Sequence, residues 1–163
     1  THCISSAASD VYKRQDTPFA IQLDGKSAGS MKVAPGSFTT LVPQRQGKNA
    51  AARFTSIDDS GGSQDALKAE LRFYNLIDDC TEGGLKIAGT GTPLFTGVAP
   101  ARSASRSINP VSAQLAATCA TAASAPLALP QLQPGDHYSL FMTGTAAAPV
   151  LRGQASATDT YRP

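Results

Sequence analysis

The sequence predicts an all-β protein made of two small β-sandwich domains in tandem, of the immunoglobulin-like or carbohydrate-module-like kind. Residues 33–42 recur at 132–141 as an apolar residue, a Pro-Gly turn and a strand-like stretch. Pro presets φ for such a turn and Gly tolerates positive φ, so each phrase is interpreted as strand, tight turn, strand. Short strand patterns separated by turn signals fill the rest of the chain, without the capped amphipathic pattern of a long helix. The repeat therefore predicts two related β domains.

The first domain is predicted to span residues 16–58. Residues 19–23 alternate apolar with small or polar side chains and lead into Asp24-Gly25, a dipeptide typical of tight hairpins. The remaining strands of this domain are predicted at residues 31–33, at residues 38–42, where Pro43 is expected to end the strand, and at residues 53–57.

Residues 1–15 are predicted to be non-native or disordered. The string from Val11 to Gln15 looks like a translated sequencing adapter, and the segment lacks the features of a secretory signal. We therefore expect the first domain to have lost or replaced its first strand.

The second domain is predicted to span residues 67–158, after a polar and glycine-rich linker or exposed turn at residues 59–66. Residues 67–75 place apolar side chains at odd positions and mostly charged ones at even positions, the pattern of a half-buried strand. The alanines of residues 113–123 favour a helix, but the threonines and the neighbouring short strands favour a strand in the first half. Further strands are predicted at residues 85–88, 94–98, 112–118, 126–132, 137–143 and 150–157.

The composition disfavours several classes of function. The formal net charge is +2 and no block of basic residues occurs, which disfavours nucleic-acid binding. No apolar stretch approaches the roughly 20 residues that a membrane-spanning helix needs. Aromatic residues make up 6% and Trp is absent, so the chain is poorly equipped to stack sugar rings.

The three cysteines predict one disulfide. Cys80 and Cys119 both belong to the second domain, whereas Cys3 lies in the doubtful N-terminal segment. No CxxC or Cys/His spacing indicates a metal site, so we predict a disulfide between Cys80 and Cys119, worth about 4 kcal/mol in the chain-entropy model. Two buried thiols in a reducing compartment are the alternative.

No pattern indicates a catalytic residue, a cofactor or a metal site. Adjacent residues on a strand point to opposite faces, so Asp58-Asp59 and Asp78-Asp79 are predicted to be solvated loop acids and not catalytic pairs. His137 has no GxSxG elbow or suitable acid to work with, and it is predicted to be a surface histidine at a strand end.

The most distinctive loop is predicted at residues 102–111, and it supplies the candidate partner-binding residues Arg102, Arg106 and Asn109. Guanidinium groups on such a loop could bind the carboxylates of a uronate polymer or of a partner protein. The alternative is a solvated crossover loop in which Asn109 and Pro110 only fix a turn. Both interpretations stay open on the residues alone.

Residues 66–151 resemble the C-terminal domain of the AlgF family, the periplasmic accessory proteins of exopolysaccharide O-acetylation. The most specific part of the resemblance is the string Arg106-Ser107-Ile108-Asn109-Pro110-Val111. Residues 16–57 are similar to the family's N-terminal domain more loosely, through residues 22–25 and the Pro-Gly turn at residues 35–36. The other strings are Leu71-Arg72-Phe73-Tyr74-Asn75-Leu76, Gly84-Leu85-Lys86-Ile87-Ala88, residues 132–140, Thr143-Gly144 and Pro149-Val150.

The resemblance implies two β-sandwich domains, life in the periplasm, no catalytic residues and contact with polysaccharide O-acetyltransferase proteins acting on alginate or cellulose. The signal peptide that export requires is not present in this chain, and the cysteine pair matches no family motif. We therefore expect a non-catalytic periplasmic adaptor that contacts the acetyltransferases through strand edges and residues 102–111. A carbohydrate-binding β-sandwich module that holds the polysaccharide itself is the alternative, and an acetyl esterase or transferase is disfavoured.

Overall fold

The structure, a computed structural model, describes residues 18–23, 25–34, 36–44, 53–62, 65 and 67–156. All regular secondary structure in these residues is β, which confirms the prediction of an all-β protein. The described residues up to Ser56 form one compact unit, and Ile57–Ser156 form a second. Residues 1–15, and with them the prediction of a lost first strand, lie outside the described part of the chain.

Across these described ranges, the chain forms no helix long and apolar enough to cross a membrane.

Two pairs of neighbouring strands begin in the first unit, β1 with β2, which are antiparallel, and β3 with β4, whose last two residues belong to the second unit. Leu23 pairs with Lys26, so β1 and β2 are joined by two residues, and Gly25 takes a φ of 73°, as the predicted hairpin requires. β3 continues through Pro43, which was expected to end it, because a strand with one neighbour tolerates a residue without an N–H group. The strands are β1 (Phe19–Leu23), β2 (Lys26–Met31), β3 (Thr39–Gln44) and β4 (Arg53–Asp58).

The second unit is a β-sandwich. Its strands are β5 (Ala69–Asn75), β6 (Gly83–Ile87), β7 (Pro93–Val98), β8 (Arg102–Ile108), β9 (Gln114–Cys119), β10 (Ala122–Ala123), β11 (Leu127–Ala128), β12 (His137–Thr145) and β13 (Ala148–Ala155). One sheet has the order β13-β12-β5-β8, and the other has the order β10-β9-β6-β7 with β11 paired to β9. The neighbouring strands are antiparallel except for β5 and β12, which run parallel.

Most strand predictions for this unit are confirmed to within a few residues, including the strand in the first half of the alanine-rich segment. The predicted strand at 126–132 is reduced to β11, because Pro126 and Pro130 on either side supply no N–H group to a ladder.

The repeated Pro-Gly phrase makes the same turn in both places. In each copy the N–H of the residue after Gly donates to the carbonyl of the residue before Pro, at 3.2 Å and 3.1 Å. Gly36 and Gly135 have φ values of 71° and 86°, as the third position of a type II turn requires. Each turn leads into a strand, β3 or β12, but the residues just before it lie outside any strand, so the strand-turn-strand prediction was wrong in its first half.

The sandwich core lies between the two sheets. Phe73 on β5 stacks against Phe95 on β7, with ring centroids 5.9 Å apart. Leu71 and Phe73 point into this core, as their odd positions predict, but Leu67 lies before β5 and is exposed. The largest fully buried side chains are Phe73, Leu71, Ile77, Leu85, Leu115, Leu140, Met142, Asn75 and Cys80.

Asn75 is a fully buried polar side chain that ties the sheets together. Its Nδ2 donates to the carbonyl oxygens of Cys80 at 2.7 Å and of Val98 at 2.8 Å. Its Oδ1 accepts from the N–H of Ile77 at 3.1 Å. Both Nδ2 donors and the Oδ1 acceptor therefore have hydrogen-bond partners, as a buried polar group requires.

Candidate functional site

The predicted loop at residues 102–111 is in its larger part a strand, which corrects the loop prediction. Residues 102–108 form β8, which lies at the end of the four-stranded sheet and pairs along its length with β5. Ala104 and Ile108 pack against the core and hold the strand in the sheet. The sequence did not indicate this strand because its arginine and serine residues leave it without the strong apolar alternation of a central strand.

Arg102 and Arg106 lie on the same side of β8 as the core-facing residues. Along the strand they alternate in step with Ala104 and Ile108, which pack against the core, so their side chains point to the inner face of the sheet. Both are nevertheless exposed, because they stand at the open side of the sandwich. The Arg106 Nη1 donates a 3.5 Å hydrogen bond to the carbonyl of Leu94 on the facing sheet.

Asn109, the third candidate residue, follows the last residue of β8 and is exposed. Pro110 and Val111 after it are exposed as well. The structure therefore brings Arg102 and Arg106 together on one strand face, and it sets Asn109 beyond the end of that strand.

The opposite, outer face of the same sheet carries a polar cluster that sequence reasoning missed. The Asp59 carboxylate accepts hydrogen bonds from Arg72 at 3.2 Å, from the Tyr74 hydroxyl at 2.8 Å and from the Ser103 hydroxyl at 2.9 Å. Arg72 also pairs with Glu70 at 3.1 Å. The side chains of Asp59, Arg72 and Glu70 are only 10%, 13% and 6% exposed.

This cluster bears on residues 59–62 and on β5. The Ser105 hydroxyl donates to the carbonyl of Gly61, and a side chain at Gly62 would lie 2.9 Å from the Arg72 guanidinium. Asp59 and Gly61 thus contact the outer face of the sheet, while residues 60–62 are exposed and residues 60 and 61 form a turn, which agrees with the exposed turn given as one of the two predictions for this segment. β5 is covered on both faces, so it is not the half-buried strand that its pattern predicted.

Asp58 and Asp59 have different environments. Asp58 is exposed and accepts hydrogen bonds from the hydroxyl and the N–H of Ser60, which lower the pKa of its carboxyl. Asp58 is therefore the solvated acid that was predicted, whereas the same prediction was wrong for Asp59. The sequence contains one signal for the contact between Asp59 and Arg72. Arg72 lies in the middle of a predicted strand, and a buried charge there needs a partner of opposite charge.

His137 is the surface histidine that its position predicted. It begins β12, its side chain is 54% exposed, and its Nδ1 lies 3.8 Å from the Glu70 carboxylate.

Cys80 and Cys119, the pair named from the sequence, form a disulfide in the structure, with their Cα atoms 5.8 Å apart. Cys80 lies in the connection between β5 and β6, and Cys119 ends β9, so the bond joins this connection to β9, next to the Asn75 side chain. Both cysteines are buried in the core.

The described residues bring no three metal-ligating side chains together. Asp78 and Asp79 are exposed, as predicted. Tyr74 and Tyr138 are buried and cannot offer a ring face to a sugar, and the exposed aromatic side chains in the described ranges are Phe19 and Phe38 of the first unit.

Comparisons with known proteins give a likeness among solved structures. No protein-family model and no curated protein matches this sequence. The chain is similar to a solved structure of the C-terminal domain of AlgF from P. aeruginosa, with 27% sequence identity and a TM-score of 0.48. The match covers 55% of this chain and 99% of that domain.

Proposed function

We propose that this protein is a non-catalytic periplasmic adaptor that supports O-acetylation of an exopolysaccharide, alginate or cellulose, by contacting polysaccharide O-acetyltransferase proteins. Arg102, Arg106 and Asn109 are its contact residues.

The observation that carries this proposal is the position of residues 106–111. They form the string by which the sequence most specifically resembles the AlgF family, and they begin at the exposed Arg106 on an edge strand that also carries Arg102. Arginine is enriched at protein interfaces because its planar fork binds carboxylates with two hydrogen bonds. The Cys80–Cys119 disulfide supports an oxidising compartment such as the periplasm.

The test is capture of purified alginate and cellulose O-acetyltransferase proteins by the immobilised chain. We expect Arg106→Glu to weaken capture by about tenfold, the loss typical of an arginine at the centre of an interface. Arg152→Glu is the matched control, because Arg152 is an exposed arginine on β13, at the other end of the same sheet. Circular dichroism should show the same fold in all three proteins.

Equal capture by the wild type and Arg106→Glu would remove β8 from the contact surface, and capture of no acetyltransferase by the wild type would overturn the adaptor proposal. Heat released on titration with alginate or cellulose oligomers would favour the carbohydrate-binding module instead. Turnover of a chromogenic acetyl ester would contradict the non-catalytic assignment.

A further inference from the structure

We propose that the free edge of β8 binds an extended acidic segment of a partner protein, which adds to the four-stranded sheet as a further strand. Two carboxylates of that segment, four residues apart, face Arg102 and Arg106. This inference rests on the proposed adaptor function and names the chemistry of the partner.

The backbone of β8 supplies the first part of the argument. β8 ends its sheet, and within the described ranges its ladder partner is β5 alone. In an antiparallel ladder every second residue of an edge strand directs its N–H and C=O groups away from the sheet. A strand of seven residues therefore offers several free backbone groups to an incoming segment.

The charges on β8 supply the second part. Arg102 and Arg106 share one strand face and stand about 13 Å apart, since a strand rises about 3.3 Å per residue. Neither guanidinium forms an ion pair with a described residue, and Arg106 makes one long hydrogen bond to a carbonyl. Carboxylates at matching positions of an added strand would lie directly opposite them, and opposite charges in such cross-strand pairs are stabilising.

The same arginines disfavour a second copy of this chain as the occupant. Antiparallel pairing of two β8 strands about Ala104 sets Arg102 of each copy opposite Arg106 of the other. Pairing about Ser105 brings the two Arg106 side chains together on the diagonal. Like charges in these positions repel, so the edge of β8 favours an acidic strand and disfavours pairing with β8 of a second copy.

The test measures binding of fluorescent extended peptides to the full chain by fluorescence anisotropy. A peptide with two aspartates four residues apart should bind, and the same peptide with lysines should not. Arg102→Glu with Arg106→Glu should reverse this preference, while Arg152→Glu should leave it unchanged. Failure of the acidic peptide to bind, or binding that ignores the charge reversal, overturns the proposal.

Backbone methylation separates strand addition from simple charge attraction. N-methyl groups on alternate residues block one edge of the peptide, so one of the two alternate patterns should abolish binding and the other should preserve it. Equal binding of both methylated peptides would overturn strand addition.

Replacing both arginines by threonine should also give a concentration-dependent dimer in sedimentation velocity, and a variant that stays monomeric would contradict the rejection of a second copy.

Competition in the capture experiment distinguishes this inference from the proposed function. If the chain captures acetyltransferase proteins but the acidic peptide neither binds nor competes, the strand-addition proposal fails and the adaptor stands. If the peptide binds and no acetyltransferase is captured, the adaptor fails and the binding edge stands.

Discussion

Removal of the Asn75 side chain tests whether the two sheets depend on one buried amide. Asn75→Ala deletes three hydrogen bonds, to the Cys80 and Val98 carbonyls and from the Ile77 N–H. At about 1 kcal/mol each, the bonds account for about 3 kcal/mol, and the backbone groups left unpaired in the core raise the loss to about 4 kcal/mol. In a unit of about 100 residues this lowers the melting temperature by roughly 15 to 30 °C.

The measurement is urea denaturation followed by circular dichroism, with amide hydrogen exchange in β5 to report on the second unit alone. Asn109→Ala is the control, because Asn109 is exposed and its loss should change the free energy of unfolding by less than about 0.5 kcal/mol. Equal stability of the two variants would refute the role assigned to Asn75.

A carboxylate in place of the amide gives the same test a pH dependence. In Asn75→Asp an oxygen replaces Nδ2 opposite two carbonyl oxygens, so burial and repulsion raise the pKa of the new carboxyl in the folded state. A raised folded pKa means that stability is lost as the pH rises. The deficit relative to the wild type should therefore grow between about pH 4 and about pH 7, and a constant deficit would contradict the geometry.

Gly83 couples to the same amide. A Cβ at Gly83 would lie 2.7 Å from the Asn75 Nδ2 and 2.9 Å from the Met142 Cε, so Gly83→Ala should destabilise the wild type. Asn75→Ala vacates that space, and the cost of Gly83→Ala should then shrink by about 1 kcal/mol or more in a double-mutant cycle. Additive effects would show that the two residues do not share this space.

Three further predictions concern the same unit. Gly153→Ala should destabilise it by about 1 to 3 kcal/mol, because the new Cβ would lie 2.6 Å from the Tyr138 Cε1, whereas Gly89→Ala meets nothing within 4 Å and should be nearly neutral in thermal denaturation. Replacing Cys80 and Cys119 together by serine should cost about 4 kcal/mol, and reductant should lower the melting temperature of the wild type but not of this variant. Burial raises the pKa of the Tyr138 hydroxyl in the folded state. The contribution of Tyr138 to stability is therefore complete below about pH 10, the unfolded value, and is lost as the pH rises through the higher folded value. Tyr138→Phe should accordingly lose less stability than the wild type between about pH 9 and about pH 11.

The local signals in the sequence were sufficient for the parts of the fold that depend on neighbouring residues. The β1–β2 hairpin and the two Pro-Gly turns follow from φ preferences of single residues, and the structure has them where the sequence predicts them. Most strands of the second unit follow in the same way from alternation and from turn residues between them.

The errors fall where a residue's environment depends on distant parts of the chain. Asp59 is 13 residues from Arg72 and 44 from Ser103, and no local pattern links an acid in a glycine-rich stretch to a strand across the sheet. For the same reason the alternation in residues 67–75 predicts one solvent-exposed face for β5, although Asp59 contacts the polar side chains of Arg72 and Tyr74 on that face.

The two faces of β8 consequently have different roles. On the outer face, Ser103 and Ser105 hold residues 59–61 to the sheet, so that face is already occupied. On the inner face, Arg102 and Arg106 are exposed beside a backbone edge that no described strand covers. A partner that approaches β8 therefore meets the free edge and the two guanidinium groups first. Charge reversal at Arg102 and Arg106, with Arg152→Glu as the control, therefore tests whether β8 is an interaction surface or only a polar strand.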